Sequence, residues 1–192
     1  MRYPTFMKAH HGLHNRIVAA ILLVLLSCLP VAAQTAKLDE LFARLQKADA
    51  AEAAQIESDI WMEWSKSGSP AMDLLLQRGK DAMANGQPDV AVEHLTALID
   101  HAPDFAEAWN ARATAYYQLG EFGPSLSDLG QVLTLNPRHF GALSGLGSIF
   151  EELGKPAQAL EVYKATLKID PHAPGVEEAV SRLETELQGK DL

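Results

Sequence analysis

Apolar side chains at Val176, Ala179, Val180, Leu183 and Leu187 recur at intervals of three and four with charges between them, the stripe of an amphipathic helix. The same spacing runs back through most of the chain, and each apolar run is cut by a glycine or a proline. The cuts are periodic: Pro103, Pro137 and Pro171 stand 34 residues apart, and Gly86, Gly120 and Gly154 repeat at the same interval. Leu75, Trp109 and Leu143 keep that register, as do Leu95, Leu129 and Tyr163. A fixed period of this size marks a solenoid.

Three units follow, residues 72–105, 106–139 and 140–173, each a pair of helices around a Gly-containing turn. Gly86 offers a cheap left-handed cap and Pro88 starts the next helix where its missing N–H costs nothing; Gly154 with Pro156, and Gly120 with Pro124, are read the same way. The unit-ending prolines stop the second helix by pushing the preceding residue out of the helical region. Small residues recur where helices must approach, at Gly79, Ala113 and Gly147 and at Ala91, Ser125 and Ala159, with the large residues of the repeat facing them. Residues 174–192 predict a capping helix. Upstream, 38–47 and 51–66 read as a helix pair within 34–71 that either caps the N-terminal end or forms a divergent extra hairpin.

The stretch "AEAWNARATAYYQLGEFGPSLSDLGQVLTLNP", residues 106–137, resembles a tetratricopeptide repeat, with Trp109, Ala113, Tyr116, Gly120, Ser125, Leu129, Val132 and Pro137 at the family's signature places. The flanking units are similar but substituted, the first having Leu75 and Ala82 in place of Trp109 and Tyr116. The resemblance covers 72–173 and implies an all-α, right-handed α-solenoid of helix-turn-helix hairpins; more loosely, the arrangement is similar to that of small exported bacterial proteins of this family. It also implies a concave groove lined by the first helices, open to a partner's peptide or helix. Carried over, the lining is Asp73, Leu76, Lys80 and Met83, then Glu107, Asn110, Thr114 and Tyr117, then Gly141, Ser144, Ser148 and Glu151. Tyr117 is the expected anchor. Gly141, Gly145 and Ser148 leave backbone bare, which suits a flat partner surface. Members that clamp a C-terminal carboxylate carry basic and Asn residues where this chain has Leu76, Lys80, Ala111, Gly141 and Gly145, so no such clamp is expected.

The first 33 residues differ in kind. Arg2, Lys8 and Arg16 are basic, no acid appears, 17–26 is continuously apolar, and Pro30 precedes small residues. This reads as a secretory signal peptide cleaved after Ala33, with Met1 or Met7 as the start, and predicts a periplasmic or secreted product. The apolar run falls short of the roughly 20 residues a spanning helix needs. Leu25-Leu26-Ser27-Cys28 resembles the lipobox of bacterial lipoproteins, although Leu26 departs from the small residue preferred there, so lipidation at Cys28 is the alternative route to a membrane.

Charge then narrows the partner. The 192 residues carry 16 Lys and Arg against 25 Asp and Glu, a net charge of −9. Loss of 1–33 removes three basic residues and no acid, leaving −12. An acidic chain without a basic cluster excludes nucleic acid as partner. Cys28 is the one cysteine and departs with the leader, which excludes disulfides, thiol catalysis and cysteine-based zinc sites.

Candidate chemistry is sparse. His10, His11 and His14 have ligand-like spacing but lie in the leader. His101, His139 and His172 fall at corresponding unit ends, where they either face water beside helix C-termini or bridge a transition metal along one edge. No HExxH, GxSxG or phosphate-loop pattern occurs; Ser144 lacks the setting of a nucleophile elbow, and Glu151-Glu152 diverge around a helix. Trp61 and Trp64 in "IWMEW" form either a surface buried on the first repeat or a ridge for docking a partner. The reading is a non-enzymatic, cofactor-free interaction module that binds another protein of the cell envelope in its groove. A lipid-anchored adaptor of envelope assembly, and a metal-binding or enzymatic edge site built on His101, His139 and His172, are the alternatives.

Overall fold

Every break in the helical pattern has a backbone cause, and the fold is the sum of those breaks. The computed structural model describes residues 35–190, and the described residues form nine helices and no strand. They are α1 (35–45), α2 (Ala50–Trp64), α3 (Pro70–Ala84), α4 (Pro88–His101), α5 (Ala106–Gln118), α6 (Phe122–Leu135), α7 (Phe140–Glu152), α8 (Pro156–Ile169) and α9 (Val176–Lys190). The leader, with Cys28, Met7 and His10, His11 and His14, lies outside the described residues. The chain divides into a unit ending at Glu40 and a second unit, Leu41–Leu192, which contains everything discussed below. Among the described residues no helix is long and apolar enough to cross a membrane.

Within each hairpin the turn is the same device. Gly86, Gly120 and Gly154 have φ of 71°, 72° and 65°, a conformation that an L side chain resists. The amides of Gln87, Glu121 and Lys155 donate back to the carbonyls of Ala82, Tyr116 and Phe150 at 2.9, 2.9 and 2.8 Å, closing the Schellman motif. Pro88 and Pro156 then open α4 and α8, whereas α6 begins at Phe122 and Pro124 sits inside its first turn. The correction is small because the first four N–H groups of a helix lack intrahelical partners, so a proline there still loses no hydrogen bond. At the unit ends Ala102, Asn136 and Asp170 have left the helical region, with φ of −139°, −139° and −130°, each before its proline.

The hairpins close by small residues meeting large ones. A methyl group at Gly79 would stand 2.6 Å from Leu95, and one at Gly147 would stand 2.4 Å from Tyr163, so only hydrogen fits. In the middle hairpin Ala113 takes that place, and the Ser125 hydroxyl donates to its carbonyl at 2.8 Å. Arg112 ties neighbouring hairpins: it is bidentate to Asp128 on α6 at 2.8 and 2.9 Å and donates to Thr96 on α4 at 3.0 Å. At the far end Val176 and Leu183 of α9 are buried with Ala159 and Tyr163, and the exposed side carries charge, as a terminal cap requires. The first helices α3, α5 and α7 also touch one another in sequence and form the inner face of the stack.

Candidate functional site

Part of the inner face, at the start of α7, is covered by the chain's own α2. Asp49 starts that helix by accepting from the amides of Ala51 and Glu52 at 3.0 and 2.9 Å. Ala53, Ile56, Ile60 and Trp64 then fall on one buried side. Trp64 stacks on the imidazole of His139, centroids 4.2 Å apart and planes 16° from parallel, with the Phe140 ring 5.0 Å away. Trp61 meets His139 and Phe140 edge-on at 5.3 and 5.6 Å, and Phe42 packs 6.0 Å from Trp64. A methyl group on Gly141 would lie 2.4 Å from the Trp61 ring, so the bare helix at that point is the seat of an indole.

Polar contacts fix both ends of this helix. Lys80 on α3 donates to the Ser65 hydroxyl at 3.2 Å, just past the helix end. On the other side His172 meets the Ala48 carbonyl at 3.0 Å, and the Gln46 amide donates to the Ile169 carbonyl at 2.8 Å. The contacts of the helix pair thus fall on the start of α7, on Lys80 of α3 and on the end of α8 and the turn after it, not on the first repeat alone as an N-terminal cap or an added hairpin would place them.

Beneath the tryptophans is a buried ionic relay. Nδ1 of His139 accepts from the Ala142 amide at 3.0 Å, which leaves the proton of a neutral ring on Nε2, where it donates to Glu107 Oε2 at 3.3 Å. Glu107 Oε1 pairs with Lys80 at 2.8 Å, and Asn110 donates to Oε2 at 3.3 Å. Burial alone would push the Glu107 carboxyl up, but the His139 hydrogen bond and the Lys80 charge outweigh it and hold the group below the usual carboxylate range. Midway along α2 the sign reverses. Burial, with Asp170 nearby, raises the Glu57 carboxyl, and burial likewise raises Asp170, whose Oδ2 has no hydrogen-bond partner among the described residues.

Beyond Gly141 the inner face is open. Between α5, α6 and α7 lies a cavity of about 150 Å³ whose lining includes Leu129, Ile149, Asn110, Thr114, Ser148 and Gly145. Tyr117 stands at this end, 37% exposed, with its ring against Phe122 at 5.7 Å.

Set against the expected lining, the twelve residues fall into two groups. Asn110, Thr114, Tyr117, Gly141 and Ser148 border the cavity. Leu76 is corrected: it is buried in the first hairpin's core beside Leu95 and Leu98. Glu107 is corrected too, being 2% exposed and spent on Lys80 and His139, and Gly141 is no flat surface because Trp61 covers it. Asp73 accepts from Ser67, Glu151 accepts from Tyr163 and pairs with Arg182, and Ser144 donates to the Phe140 carbonyl. Met83 packs against the first core.

The tryptophans are not a ridge, and the repeat they cover is the third rather than the first. Trp64 is 8% exposed and Trp61 half-buried. Nor do the three histidines share an edge: His101 is exposed, His139 wholly buried at the start of α7, and His172 held to Ala48, and among the described residues no group of three His, Cys, Asp or Glu side chains is placed to hold a metal ion. Sequence reasoning missed His139 and Phe140 as the receptor for α2. The available signal was a break in the repeat, since Phe140-Gly141 stands where the other units have Met72-Asp73 and Ala106-Glu107.

Comparison with known proteins agrees with this architecture. A model of the tetratricopeptide repeat matches residues 76–124 and 111–174. A TPR repeat-containing protein of Rhizobium etli is 36% identical over 154 residues, which cover 80% of this chain and 76% of that one. Among solved structures, the first TPR of Spaghetti (RPAP3) bound to an HSP90 peptide superposes with a TM-score of 0.58 at 24% identity, over 61% of this chain and 93% of that one. The crystal structure of MamA gives 0.59 at 22% identity, over 78% and 85%.

Proposed function

The chain belongs to the tetratricopeptide repeat family, and on that footing we propose that it is a non-catalytic interaction scaffold that holds a segment of a partner protein on its inner face. The observation that carries this is the face itself: it already holds a helix, α2, by aromatic anchors, and next to that seat it offers an unfilled cavity beside an exposed tyrosine. A solved neighbour of the same fold is bound to an HSP90 peptide, which supports peptide holding as the work of such a face. The composition of residues 1–33 supports export, and the partner is then a protein of the cell envelope; retention by lipid at Cys28 is the variant of this reading.

A photoreactive residue in place of Tyr117, crosslinked in intact cells and followed by mass spectrometry, tests it. One dominant envelope partner, lost when the probe is moved to exposed Ser127 on α6, is the expected result. No enrichment over the Ser127 control overturns it. The same spectra test export, since a mature N-terminus near Gln34 is expected and an unprocessed chain refutes it.

A further inference from the structure

We infer that the open end of the inner face is a socket for one apolar side chain, of leucine to phenylalanine size, presented by an amphipathic helix of the partner. This rests on the reading of the inner face as the binding site and adds what the face selects.

Volume gives the size. A cavity of about 150 Å³ accommodates a benzene-sized group. Polarity gives the chemistry, because three of the four hydroxyls in the lining are within donating distance of backbone carbonyls, and the fourth, that of Tyr117, belongs to an exposed ring. Thr114 donates to the Asn110 carbonyl at 3.0 Å, Ser125 to the Ala113 carbonyl at 2.8 Å and Ser148 to the Ser144 carbonyl at 3.1 Å, while the Asn110 amide is turned to Glu107. An apolar occupant strands none of these groups, whereas a carboxylate finds no charged donor in the lining.

Gly145 makes the opening. In the same helix Gly141 and Gly147 have no room for a methyl group, which would fall 2.4 Å from Trp61 and from Tyr163. At Gly145 the nearest atom to such a methyl is Leu129 Cδ1 at 3.7 Å, ordinary contact distance. Packing therefore does not demand glycine there, and a mid-helix glycine is unfavourable, so what its bareness supplies is the cavity. Continuity gives the form of the ligand: Gly141 borders both the Trp61 seat and the cavity, so a helix lying beside α2 sets its anchor in line with Trp61.

The test selects displayed helical peptides on the full chain and resynthesises the binders with both ends blocked. Binders are expected to share one large apolar residue, and its replacement by Ala weakens binding about tenfold or more. Filling the cavity from either wall, by Gly145→Leu or by Thr114→Ile, is expected to erase that difference with thermal unfolding still cooperative. Two independent walls keep the result readable if one variant misfolds. If binders crosslink at Tyr117 but the fillings leave their affinity unchanged, the socket is overturned and the inner-face reading stands. If binders crosslink at Ser127 instead, or if no binder is recovered, both fall.

Discussion

The two ends of the inner face are built from the same repeat and have opposite fates. At one end α7 begins Phe140-Gly141, the ring and the gap receive Trp64 and Trp61, and a buried carboxylate is paired with Lys80 and hydrogen-bonded by His139 and Asn110. At the other end Gly145 leaves a gap of similar kind that nothing in the described chain enters. A glycine on a helix face is thus an invitation whose meaning depends on what the rest of the chain can deliver. The covered end holds buried contacts of the fold, and the open end is where we propose that a partner binds.

The sharpest way to break this contrast is to empty the covered end. Trp64→Ala removes a ring 8% exposed and stacked on His139, and is expected to cost about 3–5 kcal/mol in urea unfolding. A loss under about 1 kcal/mol would show that α2 is only loosely seated.

Next in size is the relay below it. Glu107→Gln keeps the shape but removes the charge that Lys80 and His139 share, and a loss of about 1.5–3 kcal/mol at neutral pH is expected. The pH dependence carries a sign. With its folded pKa lowered, Glu107 contributes stability that is present above the ordinary carboxylate range and is lost as pH falls through the folded value. The wild-type advantage over Glu107→Gln therefore shrinks on acidification below about pH 4, and melting curves of the two proteins should converge there.

Two alanines in one helix then set the ends side by side. Gly141→Ala must move Trp61 and is expected to cost about 1–3 kcal/mol. Gly145→Ala meets only Leu129 at contact distance and is expected to stabilise by up to about 1 kcal/mol. Equal effects in calorimetry would erase the distinction between the two gaps.

The smallest effect is expected at Glu57. Its raised pKa means that ionisation opposes the fold: the contribution is favourable below the unfolded pKa and is lost as pH rises through the folded one. Glu57→Gln should therefore raise the melting temperature at neutral pH, by an amount worth under about 1 kcal/mol, and not in acid. No gain at neutral pH would mean that neither burial nor Asp170 opposes the charge on this carboxylate.

Much of the stack was legible in the sequence because its causes are local. The Gly86, Gly120 and Gly154 caps depend on one residue's access to positive φ, and the unit ends on proline's effect on its predecessor. Even the hairpin contacts were legible, since Gly79 against Leu95 and Gly147 against Tyr163 are matched places in a repeated frame. Of the groove, Thr114, Tyr117 and Ser148 stand at the open end, while Leu76 and Glu107 turned inward. A family position states which side of a helix a residue occupies, not what will later lie upon it.

What the sequence determined alone is therefore the helices, their stops and the period at which they stack, each set within a few residues or by a repeat that compares the chain with itself. What only the tertiary structure decided is where the unrepeated part goes. Trp64 and His139 are 75 positions apart and belong to no common frame, so no pattern links them. Their meeting is settled by shape, by an indole fitting the space over a glycine, and by charge, by Glu107 needing His139 and Lys80 once water is excluded.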